Sequence, residues 1–153
     1  MDITAQNNML SRAKRLCSLR ECCIQEMQQR LQLWGATPNI LRKILHALQE
    51  EGFLNEARYA RAFCRDKLRF NQWGPVKIRY ILRSKGLREE TIQEAIQEIE
   101  PSLWSGVLME LLKKKAETLK TLPDYEKKAR LVRYAGGKGF EPDQIEKALS
   151  SPD

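Results

Sequence analysis

Three times along this chain the same short phrase recurs, and it constrains the fold more than any bulk property. Ile44-x3-Leu48-x3-Gly52-Phe53 is echoed 34 residues on by Ile78-x3-Leu82-x3-Gly86-Leu87, and again by Leu131-x3-Ala135-x3-Gly139-Phe140. Ile92, Ala95 and Ile96 return 53 residues later as Ile145, Ala148 and Leu149, and Trp34-Gly35 returns as Trp73-Gly74. Apolar residues four apart share one face of a helix, and a glycine just beyond them ends it in a left-handed conformation at least cost. A unit repeated at unequal offsets predicts a tandem array of small helical modules with linkers of different length. Such an array is elongated, because each module touches mainly its neighbours.

Punctuation supports the same reading. Pro38, Pro75, Pro101, Pro123 and Pro142 each stand where a periodic segment opens, and proline suits a first helical turn. Gly35, Gly52, Gly86 and Gly136-Gly137 mark the ends. The spacing predicts helices over 10–33, 38–51, 55–70, 75–85, 89–99, 102–121, 123–136 and 142–150. No stretch alternates in the manner of a strand, so the expected class is all-α. Segments below about 12–15 residues are marginal alone, so mutual burial must hold them.

Charge is concentrated in one window. From Arg58 to Arg88 there are ten basic residues and one acid, Asp66, a net +9 in a chain whose total is +7. The remainder therefore nets −2. At about 100° per residue, Arg58, Arg61, Arg65 and Arg69 fall on one stripe of the 55–70 helix, with Tyr59, Phe63 and Phe70 roughly opposite and expected to pack inward. Asp66, three residues before Arg69, is the one acid at helical spacing from that stripe, and a helix tolerates so many guanidiniums best facing phosphates or a partner's carboxylates, which guanidinium forks grip two-handed. Arg79 and Arg83 lie one turn apart on the next helix, with Lys77 and Lys85 near its ends. A second basic group, Lys113-Lys114-Lys115 with Lys120, Lys127, Lys128, Arg130 and Arg133, is interleaved with acids and reads as solvated surface, with phosphate contact the alternative. Trp34 and Trp73, each beside a glycine at a corner, are expected to anchor packing rather than stack on bases.

Several function classes find no support. No apolar run approaches the roughly 20 residues that cross a bilayer, and residues 1–11 show no secretion signal, so a cytoplasmic protein is expected. Cys17, Cys22, Cys23 and Cys64 form no Cys-x-x-Cys pair, and His46 is the single histidine, so neither a metal site nor a cofactor is expected. Cys22, Cys23 and Cys64 read as small packing residues. Cys64, beside Arg61 and Arg65, is the one thiol whose setting would favour reactivity. With no partnered nucleophile and no glycine-rich phosphate loop after a strand, an enzyme is not expected.

The stretch from Glu51-Gly-Phe-Leu through Tyr59-Ala60 to Lys67, followed by Trp73-Gly-Pro-Val-Lys-Ile-Arg-Tyr-Ile-Leu-Arg-Ser-Lys-Gly-Leu87, resembles the bacterial RecX family. The match is strongest over 38–99. It departs at Asn55-Glu56-Ala57, where the family commonly has an acidic pair, and at Ile81, where a Glu is frequent. The resemblance implies about three tandem three-helix repeats in a curved array: a first at 1–54, a central basic one at 55–100 and a C-terminal one at 101–153. It also implies a non-enzymatic, monomeric regulator that binds RecA filaments on single-stranded DNA and restrains strand exchange and ATP hydrolysis. The expected contact residues are Arg58, Arg61, Arg65, Arg69, Lys77, Arg79, Arg83 and Lys85. Two other readings stay open: a free-standing DNA-binding module using 75–85 and 89–99 as a helix-turn-helix, and a helical adaptor for an acidic protein.

Overall fold

The computed structural model describes residues 2–150, and nine helices make up its ordered framework there. They are α1 (Ile3–Leu19), α2 (Ile24–Leu33), α3 (Pro38–Glu50), α4 (Glu56–Asn71), α5 (Pro75–Ser84), α6 (Glu89–Gln97), α7 (Pro101–Glu117), α8 (Asp124–Gly137) and α9 (Pro142–Leu149). No strand occurs among the described residues. The array is all-α, a run of three-helix repeats: α1–α3, α4–α6 and α7–α9 each pack within themselves. Proline opens α3, α5, α7 and α9, as its fixed φ and missing N–H allow.

The recurring phrase falls on α3, α5 and α8. In the second and third repeats a companion helix, α6 or α9, follows that element and packs beside it. In the first, the companion is α1, which precedes the pair and packs on both α2 and α3. The first repeat thus carries the recurring phrase on its third helix, and the other two on their second.

Two sequence expectations change here. The segment 10–33 is not one helix: α1 ends at Leu19, residues 20–23 are extended, and α2 begins at Ile24. No glycine or proline marks the break. Tertiary burial makes it, because the extended turn sends Cys22 into the core of the first repeat and Cys23 into the core of the second. The other change concerns which glycine turns left-handed: Gly136-Gly137 do close α8, as its last residues, but neither takes that conformation. Gly139, at φ +99°, makes the turn.

The apolar interior falls into two clusters. One, with Met9, Met27, Leu31, Ile44 and Leu48, belongs to the first repeat. The other runs unbroken from Tyr59, Cys64 and Ile78 through Trp104 and Leu108 to Leu131, Phe140 and Ile145, so the second and third repeats share one core. Backbone seals that union. The Gly74 N–H donates to the Lys138 carbonyl at 2.8 Å, and the Val76 N–H to the Gly139 carbonyl at 2.8 Å. A Cβ on Gly74 would overlap the Gly139 carbonyl and the Phe140 amide, and one on Gly139 would overlap Lys77. Only glycine permits this approach.

Candidate functional site

Helix α4 begins with Asn55, whose side chain accepts the Arg58 N–H at 2.9 Å, and buries Tyr59, Ala60, Cys64 and Leu68. The opposite side carries the arginines, and the structure divides them. Arg58 turns back: its Nε donates to Glu21 at 2.5 Å, and its Nη2 to the carbonyls of Gly52 at 2.9 Å and Phe53 at 3.3 Å. It braces the first repeat against the second. Arg61 reaches Glu98 on α6 at 3.6 Å. Arg65 and Arg69 are exposed and have no carboxylate within ion-pair range among the described residues.

Helix α5 shows the same division. Arg79 donates to the Gln93 side chain at 2.8 Å, Arg83 pairs with Glu89, and Lys85 pairs with Glu26 of the first repeat at 3.7 Å. Lys77 has no carboxylate; its ammonium sits 4.6 Å from the Trp73 ring centroid. The expectation of an unneutralised stripe therefore fails at Arg58, Arg61, Arg83 and Lys85. Spacing along one helix reveals only that helix's own acids, whereas Glu21, Glu26, Glu89 and Glu98 arrive from other elements. The pairs of Arg61 and Arg83 lie on an exposed surface where water and salt screen them, so an incoming anion displaces them at little cost. Arg58 and Lys85 are held more firmly, between repeats.

The aromatic residues correct one further expectation. Tyr59 is buried and Phe63 packs on the core, but Phe70 is 69% exposed at the end of α4. Trp73 packs against the core with Phe63 at its edge, 6.3 Å between centroids, while Lys67 and Lys77 lie over it at 5.0 and 4.6 Å. Trp34 likewise packs at its corner, under Arg12 at 4.2 Å. Sequence reasoning did not foresee this seating of cations on rings: Arg12 reaches Trp34 from another helix, although Lys77 stands only four residues after Trp73.

Three of the four thiols are turned inward. Burial pushes the Cys64 thiol up to about 12, which outweighs the opposite pull of Arg65 and Arg79. The cationic neighbourhood therefore does not activate it. Cys22 and Cys23 are buried as well, and burial raises both thiols. His46 is exposed, and among the described residues no three metal-ligating side chains converge. No described helix is long and apolar enough to cross a membrane.

Fold and surface together define a class: helical-repeat proteins whose central repeat carries exposed guanidinium groups. Comparison narrows the class. Residues 55–96 match the model of the RecX second three-helix domain, and 107–149 that of the third. The regulatory protein RecX of Pseudomonas savastanoi pv. phaseolicola is 34% identical over 88% of this chain and 85% of its own. That of Chromohalobacter salexigens is 30% identical over 90% and 88%. A crystal structure of RecX from Lactobacillus salivarius superposes with a TM-score of 0.86, covering 95% of both chains at 18% identity, which speaks to fold. The chain belongs to the RecX family of regulatory proteins.

Proposed function

We propose that this chain is a non-enzymatic regulator of the RecA recombinase that binds RecA filaments on single-stranded DNA, in the filament groove, and restrains strand exchange and ATP hydrolysis in recombination and repair. Family membership along about nine-tenths of the chain carries the reading. The contact surface is Arg61, Arg65, Arg69, Lys77, Arg79 and Arg83, with Arg65 and Arg69 its most available cations. Arg58 and Lys85 serve it indirectly, by fixing the first repeat beside it. The helix-turn-helix alternative is disfavoured because its reading helix, α6, opens with Glu89 and Glu90, which phosphates repel.

Charge reversal tests the surface. Arg65→Glu/Arg69→Glu is expected to weaken inhibition of the RecA ATPase at least tenfold with helicity unchanged by circular dichroism. Unaltered inhibition would remove this face from the mechanism. Titration against naked strand, naked duplex and RecA-coated strand checks the partner: tightest binding belongs to the coated strand.

A further inference from the structure

Where the second and third repeats meet, a cleft of about 640 Å³ opens between the start of α5, the end of α7 and the last turns of α8. Its rim is Lys77, Lys115, Arg130, Arg133 and Lys138, with Tyr134 among them; its one aliphatic side chain, Leu119, is buried. No carboxylate lines it. The nearest acid in contact is Glu126, 3.5 Å from Arg130 one turn away on an exposed face.

What separates this cleft from the arginine stripe is how its cations are held. Lys115 sits 4.7 Å and Lys138 5.9 Å from the Tyr134 ring centroid, and Lys77 sits over Trp73. An ion pair consumes the charge it orders, whereas an aromatic face orders an ammonium and leaves its charge whole. The backbone bonds of Gly74 and Val76 to Lys138 and Gly139 hold Lys77 and Lys138 at the same seam, so the field is built in and not gathered on binding. Four of these five cations have no carboxylate partner among the described residues, and like charges around one opening repel one another unless an anion enters.

We propose that this cleft is a binding site for the sugar-phosphate backbone of single-stranded nucleic acid, separate from the α4–α5 arginines. A protein partner would be expected to offer apolar contact for its interface core, and the cleft presents almost none. Several phosphates entering together match its single-sign, polar rim. Lys77, at the boundary, belongs to both surfaces. The assignment goes beyond the RecA reading and does not require it, because the strand alone is the ligand.

The test uses the full chain and a fluorescent oligothymidylate without RecA, followed by anisotropy across a salt series. Lys115→Glu/Arg133→Glu is expected to weaken binding at least tenfold, and the neutral Lys115→Gln/Arg133→Gln to flatten the slope of log affinity against log salt by about 1.4, at roughly 0.7 per lost phosphate contact. Arg42→Glu/Lys43→Glu, on exposed α3 positions, imposes the same change in net charge and is expected to leave affinity within twofold. Equal losses in both charge-reversed variants would reduce the effect to net charge and overturn the site. So would unchanged affinity in the cleft variants with circular dichroism intact. Competition by poly-glutamate as effective as that by unlabelled oligonucleotide would overturn the nucleic-acid assignment, and an identical response to duplex would overturn single-strand preference. Because RecA is absent throughout, these outcomes are independent of the ATPase test.

Discussion

The two joints between repeats are built from opposite materials. The second and third repeats share one apolar core and bond backbone to backbone through Gly74 and Gly139. The first repeat keeps its own core and meets the second mainly through side-chain polar links: Glu21 to Arg58, Glu26 to Lys85, and Gln25 to the Ser84 carbonyl at 3.5 Å. Only Cys23 inserts from the first repeat into the shared core. A shared core unfolds as a unit, whereas a polar seam opens locally at lower cost. Repeat architecture does not by itself decide how strongly neighbours couple; the chemistry at each seam does.

The glycine seam is the place to break the stronger joint. Gly74→Ala drives a methyl group into the Gly139 carbonyl and is expected to cost about 3 kcal/mol or more, with the second and third repeats melting together at lower temperature. Thermal unfolding checks it, and a normal melting temperature would show that the backbones can part. A smaller loss is expected at the polar joint. Arg58→Ala removes three charge-assisted hydrogen bonds and strands Glu21, whose Oε1 is already buried without a partner, for about 2 kcal/mol. Native-state hydrogen exchange is expected to quicken in α1–α3 and to leave α5 and α8 protected.

Acid sharpens the contrast further. Burial pushes the Glu26 carboxyl up, but the Cys23 N–H and the Lys85 ammonium more than reverse this, and it lies below its ordinary 4.5. A carboxyl depressed in the folded state stabilises above its unfolded value, and that contribution is lost as pH falls through the folded one. Between neutrality and pH 4.5 the link is intact; below that it weakens, by under about 1 kcal/mol for a pair of this kind. Exchange in α2 should respond to this acidification while the amide of Gly74 does not, since carbonyls and apolar side chains make the other seam. Equal acid sensitivity at both joints would erase the distinction.

Much of the fold was legible because helices declare themselves locally. Proline at a first turn, apolar residues four apart and a terminal glycine lie within a few residues of one another, and α3, α5 and α9 follow them closely. The break at 20–23 was not legible, for its cause is the burial of adjacent cysteines in two different cores, a tertiary demand with no local mark. The end of α8 at Gly136-Gly137 was legible, but not that Gly139 takes the left-handed turn, where backbone bonds tie it to the start of α5. At the candidate site, sequence placed the arginines on one side of α4 but not their partners. Glu21 lies 37 residues from Arg58, beyond any helical spacing rule. The seating of Lys115 on Tyr134 was equally hidden, because only folding brings α7 beside α8, whereas Lys77 and Lys138 stand four residues after Trp73 and Tyr134, a spacing the sequence displays.

The polar joint has a mechanical consequence. Companion helix α1 packs on α2 and α3, so the first repeat meets the second chiefly through Glu21–Arg58 and Glu26–Lys85. Pulled by its two ends, the molecule would yield there first, releasing α1–α3 as slack at low force while the remaining six described helices stay folded.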